Sequence, residues 1–408
     1  MSDTLEFQPV PLASMTPPDA IQYLVDEAAS SQASDLFLFS EESVLTVAVK
    51  RMGSVEKIAV TSKEQGRQLI GYIKAMAGLD IAERRRPLEG RWIVEREAGK
   101  IDLRVNVIPT LYGEDVTARI LDRKVGLRTI ENLGMSTPDQ DKLISLLASP
   151  SGLLLVTGPT GTGKTTTLYA CLQHLSSGIA KINTLEDPIE YALPGIRQSQ
   201  VNAKLGVDFA ELLRNILRQS PDVIMIGEVR DESTANTAVR AANSGHLVLA
   251  TLHAPIAAGA IQSMRALGTN PYFLSSGLLG VVAQRLVRKL CTHCRSAYDI
   301  AESPATFAEI RDLLLPGQGQ MIYGPTGCEN CRGQGYAGRA GVFEIMSMNR
   351  RLRHLLQTNA SVEEIQKAAI ADGMIEFQRS SMVKVAQGIT SMEEILREFS
   401  AEYLGIES

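Results

Sequence analysis

Basic residues do not outnumber acidic ones in this 408-residue chain: 41 lysines and arginines face 46 aspartates and glutamates, for a net charge of −5. That balance gives no general attraction to nucleic acid or to an anionic membrane surface, so any such contact would be local. Long apolar runs are missing too. No stretch of about 18 apolar residues occurs, and the opening MSDTLEFQPV lacks the basic segment and apolar stretch of an export signal, so a cytoplasmic protein is expected. Five cysteines are too few for a disulfide scaffold in a chain of this length, and no internal repeat or low-complexity tract stands out. What is present is ordinary globular material, 44% apolar, enough for a full core and for two or three domains.

The pattern along the chain divides it. After an N-terminal tail (1–16), residues 17–122 alternate helical patterns (20–31, 63–76) with β-branched and aromatic runs (35–39, 44–49, 101–108, 115–121), which predicts a small α+β domain. Residues 123–150 carry Gly126, Gly134, Pro138 and Pro150 between helix-like pieces and read as a linker. From 151 to 408, apolar runs (153–156, 182–185, 223–226, 247–251) alternate with helical patterns, the signature of an α/β domain with a parallel sheet and crossover helices. Within it, 288–340 reads as a four-cysteine module and 345–405 as C-terminal helices.

The strongest chemical signal is Gly158-Pro159-Thr160-Gly161-Thr162-Gly163-Lys164-Thr165, which satisfies GxxxxGK[ST] with a strand before it and a helix after it, and the adjoining Thr166 is counted with it as nucleotide-binding. Glycines let backbone N–H groups converge on an anionic phosphate without Cβ clashes, and the helix aims its positive dipole end at the same place. Lys164 offers a point charge to the β- and γ-phosphates of ATP, and the Thr165 hydroxyl suits the Mg2+ shell. Without a ligand the segment would be only a glycine-rich turn.

Carboxylates near such a loop organise metal and water. In an open α/β sheet the carboxyl ends of strands line the ligand crevice, which directs Glu186, Asp187 and Glu190, and also Glu228, toward the phosphates. Glu228 is the candidate for polarising water; Gly227 stands where many P-loop enzymes carry a magnesium-binding Asp. The plain alternative for each acid is a solvated helix cap. His246 and His253 flank the run 247–251; either could sense a γ-phosphate by a hydrogen bond or be structural. Cys291-Thr292-His293-Cys294 and Cys328-Glu329-Asn330-Cys331 have the count and spacing of a closed structural Zn2+ site, with a pair of redox dithiols as the alternative.

The order of these elements resembles that of the secretion ATPases of type II secretion and type IV pilus assembly. GPTGTGKTTTLY resembles the family's Walker A box, INTLEDPIEY its Asp box, DVIMIGEVRD its atypical Walker B box and SGHLVLATLH its His box, in family order. The resemblance covers most of the chain and implies a RecA-like P-loop core preceded by a PAS-like α+β domain. It also accounts for Gly227, since the family's Walker B box lacks the Asp and ends in Gly-Glu. By likeness to the family segment, Gly90-Arg91, Arg104-Val105-Asn106, Pro109-Thr110 and Arg119 fall on the turn, strand and final arginine of that first domain, making Arg104 and Arg119 the arginine-finger candidates; the alternative is that each merely pairs with a local acid.

The resemblance further implies a homohexamer, peripheral at the inner face of the inner membrane, that works on a platform membrane protein and assembles a pseudopilus or pilus. Four cysteines mark the family's secretion and extension members rather than its retraction members. The other readings are a P-loop ATPase of conjugation, DNA transfer or pilus retraction, and a nucleotide-binding scaffold without turnover; no nucleic-acid partner is expected. Two departures stand out. Ser34-Asp35-Leu36-Phe37-Leu38-Phe39 replaces the family's Ser-Asp-Ile-His-Ile-Glu strand. About 16 residues precede the first helix, where many members carry a further docking domain, so recruitment is expected to use another surface.

Overall fold

Apolar and polar residues alternate from Ile101 to Val107, as a strand with one covered face requires. In the computed structural model, which describes residues 12–96, 99–122, 126–176, 178–202, 205–300 and 304–399, that stretch is β5 (Ile101–Thr110). It buries Leu103, Val105 and Val107 and turns Arg104 and Asn106 outward. The chain divides into two compact units between Gly126 and Leu127.

The first unit is a six-stranded antiparallel sheet in the order β3-β2-β1-β6-β5-β4, with β1 (Asp35–Ser40), β2 (Val44–Arg51), β3 (Ser54–Ser62), β4 (Leu88–Val94) and β6 (Gly113–Asp122). The helices Pro17–Ser30 and Lys63–Met76 supply Ile21, Leu24, Leu69 and Ile73 to a shared core with Leu36, Val47, Val105 and Val116. Thr16 and Ser62 cap them, each accepting a backbone N–H three residues on. Between β2 and β3, Met52 and Gly53 both take positive φ, the geometry of a two-residue hairpin turn that matches strand twist.

Residues read as a linker pack as part of the second unit from Leu127 onward. Ile130, Leu133, Met135, Leu143 and Leu147 are buried in one cluster with Leu154 and Val156. The glycine and proline that suggested a linker punctuate a helix instead: Gly134 takes φ +91°, and Pro138 sits in the first turn of Thr137–Leu147 behind its Ser136 cap. Residues 1–11 of the tail, 123–125 of the linker and 400–405 of the expected C-terminal helices lie outside the described residues.

The second unit is built on a seven-stranded sheet in the order β15-β12-β7-β11-β10-β8-β9. β7 (Gly152–Thr157), β8 (Ile182–Glu186), β9 (Arg197–Gln200), β10 (Val223–Ile226), β11 (Leu247–Leu252) and β12 (Leu278–Leu290) pair in parallel, and β15 (Tyr336–Ser347) closes the sheet antiparallel to β12. Both faces are covered. Leu153, Leu155, Ile224, Ile226, Val248 and Ala250 point to one core, while Leu154, Val156, Val223, Met225, Leu247 and Leu249 point to the other, so the central strands read as continuous apolar runs. Residues 345–347, expected to be helical, end β15; the helices Arg350–Gln357, Val362–Ala371, Phe377–Ala386 and Met392–Glu398 follow. A small ribbon of β13 (Ser296–Asp299) and β14 (Met321–Gly324) accompanies the cysteines. No helix among the described residues is long and apolar enough to cross a membrane.

Candidate active site

The parallel strands bring the motif residues to one edge. β11 lies between β7 and β10, so the segments leaving their carboxyl ends are the phosphate loop, His253 and Glu228, side by side. The loop joins β7 to the helix Lys164–Leu175 through Gly158, Gly161 and Gly163, with φ +145°, +81° and +86°. A Cβ on Gly158 would stand 2.4 Å from the Gln284 carbonyl oxygen, so close approach to β12 demands glycine there. A Cβ on Gly161 would meet nothing within 4 Å: that side of the loop is open. Pro159, Thr160 and Thr165 are exposed, Thr166 is half-buried, and the buried Thr162 hydroxyl donates to the Pro159 carbonyl at 2.9 Å. These residues fit an anionic phosphate with its magnesium.

Lys164 folds back over the loop, donating to the carbonyls of Gly158 (2.7 Å) and Pro159 (2.9 Å). Its Nζ lies 3.5 Å from His253 Nδ1, and His253 Nε2 lies 2.9 Å from Glu228 Oε1. Glu228 Oε2 accepts from Arg230 Nη2 at 2.6 Å. Three neighbouring strands thus present a string Lys164–His253–Glu228–Arg230. Burial lowers the Lys164 ammonium to about 8, against the pull of Glu228 and with a further push from Arg285. Burial acts to raise the Glu228 carboxyl, but Arg230 and His253 hold it below its ordinary value, so it is a carboxylate at neutral pH.

Gly227 has a steric reason to be glycine. A Cβ there would stand 3.0 Å from the Leu185 carbonyl oxygen and 3.3 Å from Glu186 Cα, so the Asp of other P-loop enzymes would have to push β8 aside by a few tenths of an ångström. Asp187 is exposed at the end of β8, and its charge reinforces that of Arg230. Glu190 follows, its N–H donating to the Tyr169 hydroxyl at 3.3 Å.

Two expected site residues are placed otherwise. Glu186 is 2% exposed and accepts from Thr184 (2.6 Å), Gln198 (3.0 Å) and the Tyr169 hydroxyl. A carboxylate saturated inside the protein braces β8 against the loop helix and is not offered to a ligand. His246 stands at the amino end of β11, opposite the crevice, with Nδ1 3.1 Å from the Ala241 carbonyl at the end of the preceding helix. The apolar run that pointed to both histidines is a strand, and a strand can put only one of its ends in the site.

Gln284 carried no motif signal, since it lies some 120 residues beyond the loop on β12. Its Nε2 donates to the Thr162 carbonyl (2.7 Å) and its Oε1 accepts from the Thr167 hydroxyl (2.6 Å), so one buried amide ties the loop to its helix. Arg230 was within reach of the sequence, two residues past Glu228 in DVIMIGEVRD.

The family model described as type II/IV secretion system protein matches residues 15–397. The chain belongs to that family. Type II secretion system protein HxcR of Pseudomonas aeruginosa is 43% identical over 92% of this chain and 76% of its own length. Type II secretion system ATPase E of Vibrio cholerae is 39% identical over 92% of this chain and 74% of its own. Among solved structures, the Yersinia pseudotuberculosis ATPase DotB superposes with a TM-score of 0.73 at 18% identity, over 98% of this chain and 97% of its own, a likeness of fold.

Two further groups of candidates lie apart from the crevice. In the first unit Arg91, Arg104 and Arg119 stand directly across from one another on β4, β5 and β6. Arg91 pairs with Asp102, and Arg119 Nε donates to Asp35 Oδ1 at 3.2 Å. In the second unit the Sγ atoms of Cys291, Cys294, Cys328 and Cys331 all lie within 4.8 Å of one another. The separations 291–328, 294–331 and 328–331 are 3.9, 3.7 and 3.8 Å. A tetrahedron with zinc–sulfur bonds of about 2.3 Å has edges of about 3.8 Å, so the donor set fits zinc. N–H groups of Cys328 (3.2 Å) and Gly335 (3.1 Å) donate to Cys331 Sγ and, against the opposing effect of burial, bring that thiol down to about 7, while burial pushes the neighbouring Cys294 thiol up to about 12.

Proposed function

We propose that this chain, an ATPase of the type II/IV secretion system family, is the motor of a type II secretion system, converting ATP hydrolysis into assembly of a pseudopilus. Loop N–H groups receive the phosphates, and Lys164 exchanges the Gly158 and Pro159 carbonyls for phosphate oxygens. Thr165, with Asp187 and Glu190, would hold the magnesium, and the ion would supply charge neutralisation for the phosphates. Glu228 orients and polarises the attacking water, and His253, between Glu228 and Lys164, reports whether the γ-phosphate is present.

Arg104 and Arg119 act as fingers when a first unit closes on a nucleotide in a ring of six. Cys291, Cys294, Cys328 and Cys331 would hold a zinc that serves as a structural staple rather than in the chemistry. The ring works in the cytoplasm, at the inner face of the inner membrane, against a platform membrane protein of the system. One observation carries the reading above others: the loop lysine and a carboxylate base are strung together through His253 beside the phosphate loop. Glu228→Gln should cut ATP turnover by roughly 10²–10⁴-fold while nucleotide affinity stays within a few-fold. Unchanged turnover would remove Glu228 from the mechanism and the motor reading with it.

A further inference from the structure

The first unit holds a cavity of about 180 Å³, walled by one face of the helix Lys63–Met76 and by the loops around Tyr112 and Arg84. Lys63, Arg67, Gly71 and Lys74 recur at helical spacing along that face, while Leu69 and Ile73 turn into the core. Four cations line it, Lys63, Arg67, Lys74 and Arg84, against one carboxylate, Glu114. Lys74 is 1% exposed. Its Nζ donates to Glu114 Oε1 (2.7 Å) and to the Glu83 carbonyl (2.6 Å), which leaves the third of its ammonium donors without a protein partner among the described residues. Glu64 holds Arg67 on the rim at 3.7 Å.

Gly71 is the informative residue. Glycine inside a helix costs about 1 kcal/mol relative to alanine and is usually kept for a positive φ or a close neighbour. Gly71 has neither: its φ is not positive, and a Cβ there would meet nothing within 4 Å. What the missing side chain does is keep the cavity open.

We infer that this cavity is a second anion site, distinct from the phosphate loop, which takes the phosphate group of a small soluble phosphomonoester. With Glu114 and Glu64 set against the four cations, two net positive charges remain and favour a doubly charged phosphate over a single carboxylate. The volume, below the several hundred Å³ of a drug-sized pocket, limits the ligand to a fragment-sized molecule. The apolar walls Val44, Ile70 and Ile81 suit a short carbon body.

The test uses the full chain titrated with inorganic phosphate and with glycerol 3-phosphate, by calorimetry and by fluorescence. Trp92, the only tryptophan, packs edge-on against Tyr72 of the cavity helix at 5.9 Å between centroids and reports on this unit. The unmodified protein and Lys164→Ala should show the same saturable Trp92 response. Gly71→Leu, which fills the cavity and adds a better helix former, should weaken binding at least tenfold. Lys74→Met is the poorer probe, since it strands Glu114 and can fail to fold. Unaltered affinity in Gly71→Leu, or loss of the response in Lys164→Ala, overturns the proposal, the latter by placing the anion on the phosphate loop. So does silence toward both soluble phosphates from a protein that sediments with phosphatidylglycerol vesicles, which makes the phosphate a lipid headgroup.

Discussion

Lys164 is held in two ways that pull its proton in opposite directions. Burial disfavours the ammonium and brings it to about 8, while a polyphosphate would restore its full charge. The sign follows: between about 8 and 10.5 the folded, nucleotide-free protein binds fewer protons than the unfolded chain, so this group makes folding more favourable as pH rises through that window. Nucleotide binding reverses it. At pH 8 binding should take up about half a proton per nucleotide, falling toward none at pH 6.5. Calorimetry in buffers of different ionisation heat reads this directly, and Lys164→Arg, charged throughout, should abolish the uptake. Glu394 poses the opposite case. It is fully buried, and though burial works to raise it, hydrogen bonds from Arg397 and Arg288 at 2.8 Å hold its carboxyl below the ordinary value. Its stabilisation is therefore present above pH 4.5 and lost as pH falls through the lowered value. Glu394→Gln should cost about 3–5 kcal/mol in denaturant unfolding at pH 7, a gap that narrows in acid.

At the scale of elements, legibility followed burial. β7, β10 and β11 are covered on both faces, so their apolar runs and the motifs at their ends were readable without a fold. β3 and β9 were not, because strands at a sheet edge need no apolar pattern: Arg197-Gln198-Ser199-Gln200 is a strand only through its pairing with β8. β15 hid for another reason, since its apolar end, 342–346, has the composition of a buried helix as readily as of a strand. Gln284 and Glu186 were beyond reach because their roles are set by what lies across the sheet. The same crossing constraint bears on Gly227, whose missing Asp looked like a lost ligand and whose Cβ would crowd the backbone of β8. Gly227→Asp, which restores the residue of other P-loop enzymes, should lower stability by about 1–3 kcal/mol and lower ATP turnover, because the new Cβ strikes β8 beneath the site. A gain of turnover in steady-state assays would refute the steric account.

At the scale of the whole molecule, arginine fingers, as proposed for Arg104 and Arg119, act on a nucleotide of their own chain or on that of a neighbour. Arg91, Arg104 and Arg119 face one another across three strands, an arrangement of like charges that opposes sheet pairing. Asp102 and Asp35 pair with Arg91 and Arg119 and offset part of that cost. The row makes sense if a phosphate meets it during turnover. If each first unit serves the nucleotide of a neighbour in a ring, two separately inactive proteins can repair one another. Arg104→Ala keeps Glu228 and lacks the finger; Glu228→Gln keeps the finger and lacks the base. Mixed in equal amounts and allowed to exchange subunits, they form interfaces of which about a quarter join an intact base to an intact finger, so up to about a quarter of the unmodified turnover should return. If Arg104 instead acts within its own chain, no subunit in the mixture holds both groups and turnover stays at the level of the separate variants. Sedimentation of the mixture beforehand establishes that a ring is present, so a failure to assemble is read apart from a finger that works in its own chain.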